Sequence, residues 1–459
     1  MLTEALEKYK NKSIAVIGLG VSNRPLAEIL LQQKFDVTIR DKRSREALGE
    51  LADKYEKLGA RLILGEDYLE NITEEVIFRT PGLHPFTPQL KSAVENGAVL
   101  TSEMELFFEV CPCRIIAVTG SDGKTTTTTV ISELLKAAGR TVHLGGNIGH
   151  PLLAEADGMS PEDVAVLELS SFQLHSMVCH PDVAVITNVS PNHLDVHPSY
   201  EDYQWAKKQI FARQSVEDRL VLNADNAITR GFSSEAKGAV SFFSRQEKPE
   251  NGVFLSEGVI YRGCGANPKP LMKAEDIRIP GLHNVENFMA AFAATEGLVS
   301  DDVCVKVARE FAGVPHRLEM LRTLRGVTYC NDSIASSPTR TIAGLHALKQ
   351  KPILIAGGYD KHIPFDALGD EICQHVKKLF LTGFTAGKIY EAVVNSPCYD
   401  AKSLPIVRID DFREAVLAAS AAAEEGDLVI LSPACASFDR FRNFEERGNF
   451  FRSIVEELQ

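Results

Sequence analysis

Lys124 and Thr125 stand directly after a glycine turn, Thr119-Gly120-Ser121-Asp122-Gly123. Before the turn lies a β-branched apolar run, Ile115–Val118. After it Val130, Ile131, Leu134, Leu135 and Ala138 recur at helical spacing until Gly139 stops the helix. Strand, glycine loop, Lys-Thr, helix is an arrangement that holds a triphosphate, because free N–H groups and the helix dipole face the anion. Lys124 is predicted to reach the outer phosphates and the Thr125 hydroxyl to sit on Mg²⁺. The predicted nucleotide loop is therefore Gly120, Ser121, Asp122, Gly123, Lys124, Thr125 and Thr126. It departs from the general pattern: Gly120 and Gly123 enclose two residues rather than four, and Val118 holds the place of the usual first glycine. The bland alternative is an ordinary glycine turn, and Lys-Thr at the edge of the helix weighs against it.

Further residues of the same chemistry follow at strand ends. Glu168 closes the buried run Val164–Leu169, and a carboxylate there is a natural Mg²⁺ ligand. His193 lies in the loop after Val183–Ile186, where metal or phosphate contact is the favoured reading over a structural histidine. Gly145-Gly146-Asn147-Ile148-Gly149 is another loop at a strand end, where α/β proteins bind ligands. Lys207 and Lys208 sit on a helix with Tyr203 and Ala206, and by themselves read as a solvated pair. Asn284 and Asn287, three apart at the start of an Ala- and Phe-rich helix, face a ligand together or cap the helix.

These residues need elements to position them. Near the N-terminus the strand Ser13–Ile17 runs into Gly18-Leu19-Gly20, and Asp41 ends the next strand about 20 positions on, close to a dinucleotide fingerprint. Asn23 replaces the third glycine, so a NAD site and a site for another nucleotide diphosphate such as UDP both stand, beside a plain structural turn. Thr80-Pro81-Gly82-Leu83 faces the same crevice. Residues 240–275 read as a β-rich excursion. Past a hinge at Gly313–Arg317, the strands Ile353–Ala356, Leu379–Leu381 and Leu428–Leu431 each feed a glycine- or serine-rich loop, which predicts a further parallel sheet. The fold class is thus α/β in three domains: a Rossmann-like 1–110, a central P-loop domain 111–312 with a parallel sheet, and a Rossmann-like 313–459. At 459 residues with 44% hydrophobic content, roughly three cores fit the length.

Composition narrows the partners. A formal charge of −13 without a dense basic block argues against nucleic acid or an anionic membrane. The N-terminus is charged and unlike a signal peptide, and no apolar run reaches membrane-spanning length. Nine scattered cysteines without a CxxC suit reduced thiols in the cytoplasm and no structural zinc.

Taken together, TGSDGKTT, GGNIG, ELSSFQL, NVSPNHLD, the Tyr203-x-x-Ala206-Lys207 helix, HNVEN, PHRLE, NDSIASSP, GGYDK and SPACASFDRFRNFEERG resemble the Mur ligases along essentially the whole chain. The short glycine loop is similar to that family's own P-loop. The resemblance implies ATP and two Mg²⁺ ions, with Lys124 and Thr125 on the nucleotide and metal, and Glu168 and His193 placing the ions. Lys207 resembles the family's carbamylated lysine. Asn284, Arg317 and Asp332 are implied to meet the nucleotide. Ser22, Asp41, Lys42, Arg43 and Gly82 resemble the uridine-diphosphate site and Asn147 the muramoyl contact. Lys361, Ser437 and Phe444 resemble a D-glutamate pocket. Relatives commonly carry lysine where this chain has Ile334, so Lys361 is expected to do more of the anion binding. The implied substrates are UDP-N-acetylmuramoyl-L-alanine and D-glutamate, used by a cytoplasmic monomer whose C-terminal domain closes over ATP and D-glutamate. The implied chemistry is activation of a carboxylate as an acyl phosphate and attack by an amine.

Overall fold

A computed structural model describes residues 1–191, 197–264, 267–279, 281–360 and 363–459. The chain divides into two compact units, Met1–Phe311 and Ala312–Gln459.

The first unit holds two sheets. One is wholly parallel and has five strands in the order β3-β2-β1-β4-β5: β1 (Ser13–Ile17), β2 (Asp36–Asp41), β3 (Arg61–Leu64), β4 (Val76–Arg79) and β5 (Val99–Thr101). The strand order reverses between β1 and β4. The Gly18-Leu19-Gly20 loop and the Thr80–Leu83 loop leave these two strands on either side of one crevice, where open α/β sheets take ligands. They approach so closely that a Cβ on Gly18, at φ +81°, would lie 3.0 Å from Thr80 Cγ2.

The other sheet has nine strands in the order β14-β13-β12-β11-β10-β9-β6-β8-β7. These are β6 (Arg114–Thr119), β7 (Val142–Gly146), β8 (Val164–Glu168), β9 (Val183–Ile186), β10 (Arg219–Asn223), β11 (Ala239–Ser244), β12 (Asn251–Ser256), β13 (Val259–Cys264) and β14 (Lys269–Lys273). Strands β6 to β12 pair in parallel, and β12-β13-β14 form an antiparallel edge. That edge is the β-rich excursion expected at 240–275. Glu257 and Gly258, at φ +49° and +75°, give the β12–β13 connection two left-handed residues, as a tight hairpin requires. One apolar core, from Leu2 to Phe232, is shared by both sheets.

The second unit has six strands in the order β15-β16-β20-β17-β18-β19: β15 (Glu319–Leu324), β16 (Val327–Asn331), β17 (Ile353–Ala356), β18 (Lys378–Leu381), β19 (Ile406–Arg408) and β20 (Leu428–Leu431). Five are parallel. The exception is β15, which pairs antiparallel with β16 through Arg325 and Gly326, again both left-handed at φ +51° and +77°. Alternate residues of β17 fall in opposite cores: Leu354 and Ala356 in one, Ile353 and Ile355 in the other. A sheet covered on both faces needs such unbroken apolar strands.

Candidate active site

The glycine loop lies where the strand order of the middle sheet reverses. Strand β6 is flanked by β8 and β9, with Val118 level with Glu168 and Thr119 level with Ile186. Three loops therefore leave the carboxyl edge side by side. Gly120 and Gly123 have φ of +151° and +77°, and Gly123 precedes the helix Lys124–Ala137. Neither position tolerates a side chain. A Cβ on Gly120 would lie 1.9 Å from Thr187 Oγ1, and one on Gly123 would lie 2.3 Å from Asn287 Oδ1. Asp122 N–H donates to Asn188 Oδ1 at 2.9 Å, and Thr187 Oγ1 donates to the Asp122 carbonyl at 2.5 Å. Ser121 is buried, with its hydroxyl 2.9 Å from that of Tyr203. The loop is thus held by β9's loop on one side and by the helices Tyr200–Lys208 and Leu282–Ala294 on others.

Two lysines converge on it. Lys124 Nζ donates to the carbonyls of Gly120 at 3.0 Å and Ser121 at 2.9 Å, while Lys207 Nζ donates to the same Gly120 carbonyl at 2.7 Å. Lys207 is 1% exposed and lies over the Tyr203 ring. It is therefore not one of a solvated pair, unlike Lys208 beside it, which reaches Glu235. Burial lowers the Lys207 pKa well below its ordinary value, the charge of Lys124 lowers it further, and Asp122 and Glu168 oppose both. Glu168 is likewise buried. Its Oε1 accepts from Asn147 Nδ2 at 2.8 Å, and its Oε2 is buried with no hydrogen-bond partner among the described residues. An orphaned carboxylate oxygen beside a phosphate-type loop suits a hard dication, with Thr125 at the start of the same helix. Asn147 also donates its backbone N–H to the Glu168 carbonyl at 2.8 Å. His193 lies outside the described residues.

In the first sheet, Asp41 at the end of β2 is buried. Burial pushes its carboxyl up, but hydrogen bonds from Arg43 and from the N–H of Leu19 outweigh this and hold it below the usual carboxylate range. Lys42 and Gly82 are exposed, and Ser22 is half-buried before the helix Asn23–Gln32. Asn23, in the place of the third fingerprint glycine, is buried and donates to the carbonyls of Ile17 and Gly18. It ties strand to loop at the position where the fingerprint's third glycine would let helix and strand pack closely. Asn284 accepts from Asn287 at 3.3 Å, and it is Asn287 that faces the nucleotide loop, within 3.3 Å of Thr127 Oγ1.

In the second unit Asp332 follows β16. Ser432 Oγ donates to it at 2.7 Å and Leu318 N–H at 3.1 Å, yet burial dominates and pushes its pKa up to about 6. Arg317 is exposed and favours the Asp332 charge. Ser437 is buried with its hydroxyl unpartnered among the described residues, and Phe444 opens the helix Phe444–Glu457. Arg447, which the sequence analysis did not single out, organises this edge. Its buried guanidinium donates to Ser333 Oγ and to the carbonyls of Ser333, Cys435 and Ala436. Lys361 lies outside the described residues.

Comparison with known proteins finds relatives along the whole chain. Residues 118–295 match the Mur ligase middle domain, and residues 316–435 match the Mur ligase, glutamate ligase domain. The UDP-N-acetylmuramoylalanine–D-glutamate ligase of Acetivibrio thermocellus is 51% identical over 100% of this chain and 99% of its own. The protein of the same name from Clostridium novyi is 48% identical over 98% and 97%. Among solved structures, the UDP-N-acetylmuramate-alanine ligase of Thermotoga maritima shares the fold at 17% identity, with a TM-score of 0.54 over 97% of this chain and 99% of its own.

Proposed function

The chain belongs to the Mur ligase family, an enzyme family of ADP-forming ligases in peptidoglycan synthesis, and from that premise we propose that it joins D-glutamate to UDP-N-acetylmuramoyl-L-alanine at the expense of ATP. The observation that carries the proposal is the meeting of Lys124 and Lys207 on the Gly120 carbonyl, beside a Glu168 oxygen that has no partner among the described residues.

A carboxylate resists an amine at neutral pH because its leaving group is poor. Transfer of the γ-phosphoryl from ATP to the L-alanine carboxylate forms an acyl phosphate and ADP. The D-glutamate amine then attacks the acyl carbon, loses a proton, and phosphate departs as the amide forms. The loop N–H groups and Lys124 orient the phosphates and offset their charge. Two Mg²⁺ ions, when bound, supply the remaining charge neutralisation, and Thr125, Glu168, His193 and Lys207 would hold them. Lys207 fits only after modification, since an ammonium would repel a dication. Its burial favours the neutral amine, which can add CO₂ and lose a proton to give an anionic carbamate.

Three domains divide the work: 1–110 for the uridine diphosphate through Ser22, Asp41, Lys42, Arg43 and Gly82, 111–312 for ATP, and 313–459 for D-glutamate through Lys361, Ser437 and Phe444. Asn147 meets the muramoyl group, and Asn284, Arg317 and Asp332 the nucleotide. The enzyme acts as a cytoplasmic monomer; no helix among the described residues is long and apolar enough to cross a membrane. The test is phosphate release by the purified chain with ATP and Mg²⁺. It should require UDP-N-acetylmuramoyl-L-alanine and D-glutamate together. Equal release with L-glutamate, or with either substrate omitted, would sink the assignment.

A further inference from the structure

A group of side chains that the ligase chemistry does not use lies beside the nucleotide loop. His84 is on the loop after β4. His175 follows the short helix Ser171–Leu174, and His197 and Asp202 flank the start of the helix Tyr200–Lys208. One ring nitrogen from each histidine and one Asp202 oxygen all lie within 4.8 Å of one another. The group is built rather than incidental. His175 and His197 are buried, and Asp202 meets His175 Nε2 at 2.9 Å and His197 Nδ1 at 2.7 Å. Ser171 Oγ is 3.0 Å from His197 Nε2, and Phe172 stacks on the His197 ring. Arg79, at the end of β4, is buried and donates to the carbonyls of Leu83 and Phe172 and to Ser176 Oγ, which fixes the His84 loop against the middle sheet's helices.

The hydrogen bonding is nevertheless incomplete. Among the described residues a single carboxylate faces three imidazoles, and His84 Nε2 and His175 Nδ1 are both buried with no partner. An imidazole left short of partners in a buried cluster becomes a metal ligand once the nitrogen that faces the cluster gives up its proton. We propose that His84, His175, His197 and Asp202 bind a divalent transition cation of the zinc type. Three imidazoles and one carboxylate suit Zn²⁺, Co²⁺ or Ni²⁺ and give Mg²⁺, which prefers all-oxygen surroundings, no advantage. Cysteine spacing predicts no zinc because this set contains no thiol and is assembled from elements far apart in sequence. Loading displaces the protons now shared between Asp202 and its two histidines, to the far ring nitrogens or to solvent. It also moves the His84 proton to Nδ1 at the cost of the 3.2 Å bond from Phe86 N–H, so affinity falls in acid. The side chains draw in by roughly an ångström to reach bonding distances of about 2.0–2.1 Å. The ion would staple the Gly82–His84 loop of the first sheet to the second. His197 also packs on Tyr203, whose hydroxyl meets Ser121 of the nucleotide loop.

The test is Co²⁺ titration of the full chain, stripped by chelator and kept in excess Mg²⁺. We expect the visible absorption of four-coordinate, nitrogen-ligated Co²⁺, saturating at one ion per chain and displaced by Zn²⁺. His84→Ala and His175→Ala should each weaken it more than about tenfold. His346→Ala, which touches the exposed group His346, Glu371 and His375, should leave it unchanged. No such band, or one that survives both His84→Ala and His175→Ala, overturns the site. Should the variants not fold, anomalous diffraction from Zn²⁺-soaked crystals of the unsubstituted chain decides. A peak bonded to these four residues supports the site, and its absence there overturns it. Neither readout uses turnover, so a failure leaves the ligase reading standing.

Discussion

Lys207 and Glu103 are both ionisable side chains in buried places, and they are buried for different reasons. Lys207 donates to the loop carbonyl that Lys124 also holds, so its position serves the nucleotide site. Lys207→Ala should lower turnover by roughly 10²–10³-fold, the scale seen when one transition-state charge partner is lost. Added acetate should partly restore it by placing a carboxylate in the space left, and full activity without acetate would remove the carbamate from the proposal. Glu103 starts the helix Glu103–Val110 and has no such partner. Burial pushes its pKa up to about 7, against a smaller lowering by the Leu153 N–H. A carboxyl raised in the folded state keeps its full contribution to stability below its ordinary 4.5 and loses it as pH rises through 7. The loss amounts to about 3 kcal/mol by pH 8.5. Glu103→Gln should therefore stabilise the chain at pH 8.5 by about 1–3 kcal/mol and change little at pH 5, as read by urea unfolding at the two values. Equal effects at both would place the Glu103 pKa elsewhere.

At the scale of elements, the nucleotide loop is fixed by its neighbours more than by its own sequence. Strand β6 puts the loop at the sheet edge, and the loop after β9 closes against it through Thr187 and Asn188. Gly120→Ala would drive a Cβ into Thr187 at a φ that side chains avoid, so backbone must move. We expect a stability loss of roughly 1–3 kcal/mol together with loss of ATP binding by calorimetry. Unchanged binding would show that the loop is not the phosphate cradle. The strand-loop-helix passage at Gly120 was legible because apolar period and glycine positions are local signals. The neighbours were not. Nothing local tells that Asn287 faces Gly123, or that Lys207 points into the protein while Lys208 reaches Glu235. Those outcomes depend on which face of each helix the sheet covers. Arg447 was missed for the same reason: four acceptors from two separate stretches, Ser333 and Cys435-Ala436, surround it, and neither stretch alone calls for a cation.

The chain as a whole is two compact units, although its strands form three sheets. The sheets could be read from runs such as Val164–Leu169 and Leu428–Leu431, but the merging of the first two could not. Their shared core joins Leu2 and Tyr9 to residues as distant as Phe211 and Phe232, and Arg79 ties the first sheet to the carbonyl of Phe172. Contacts of that span leave no periodic trace. The second unit differs, because its sheet is covered on both faces by its own side chains. One core gathers Leu354, Leu379, Ile389 and Ile430, the other Tyr329, Phe380, Phe451 and Ile454. A fragment with a core of its own on each face should fold by itself. Residues 312–459 expressed alone should therefore unfold in urea through one cooperative transition, with a stability of roughly 5–15 kcal/mol. The full chain should then depart from a single transition, and its second step should coincide with that of the fragment. D-glutamate addition should be absent from the fragment, which lacks the nucleotide loop at 120–126. A fragment that loses signal gradually, with no folded baseline, would mean that the C-terminal cores depend on the rest of the chain.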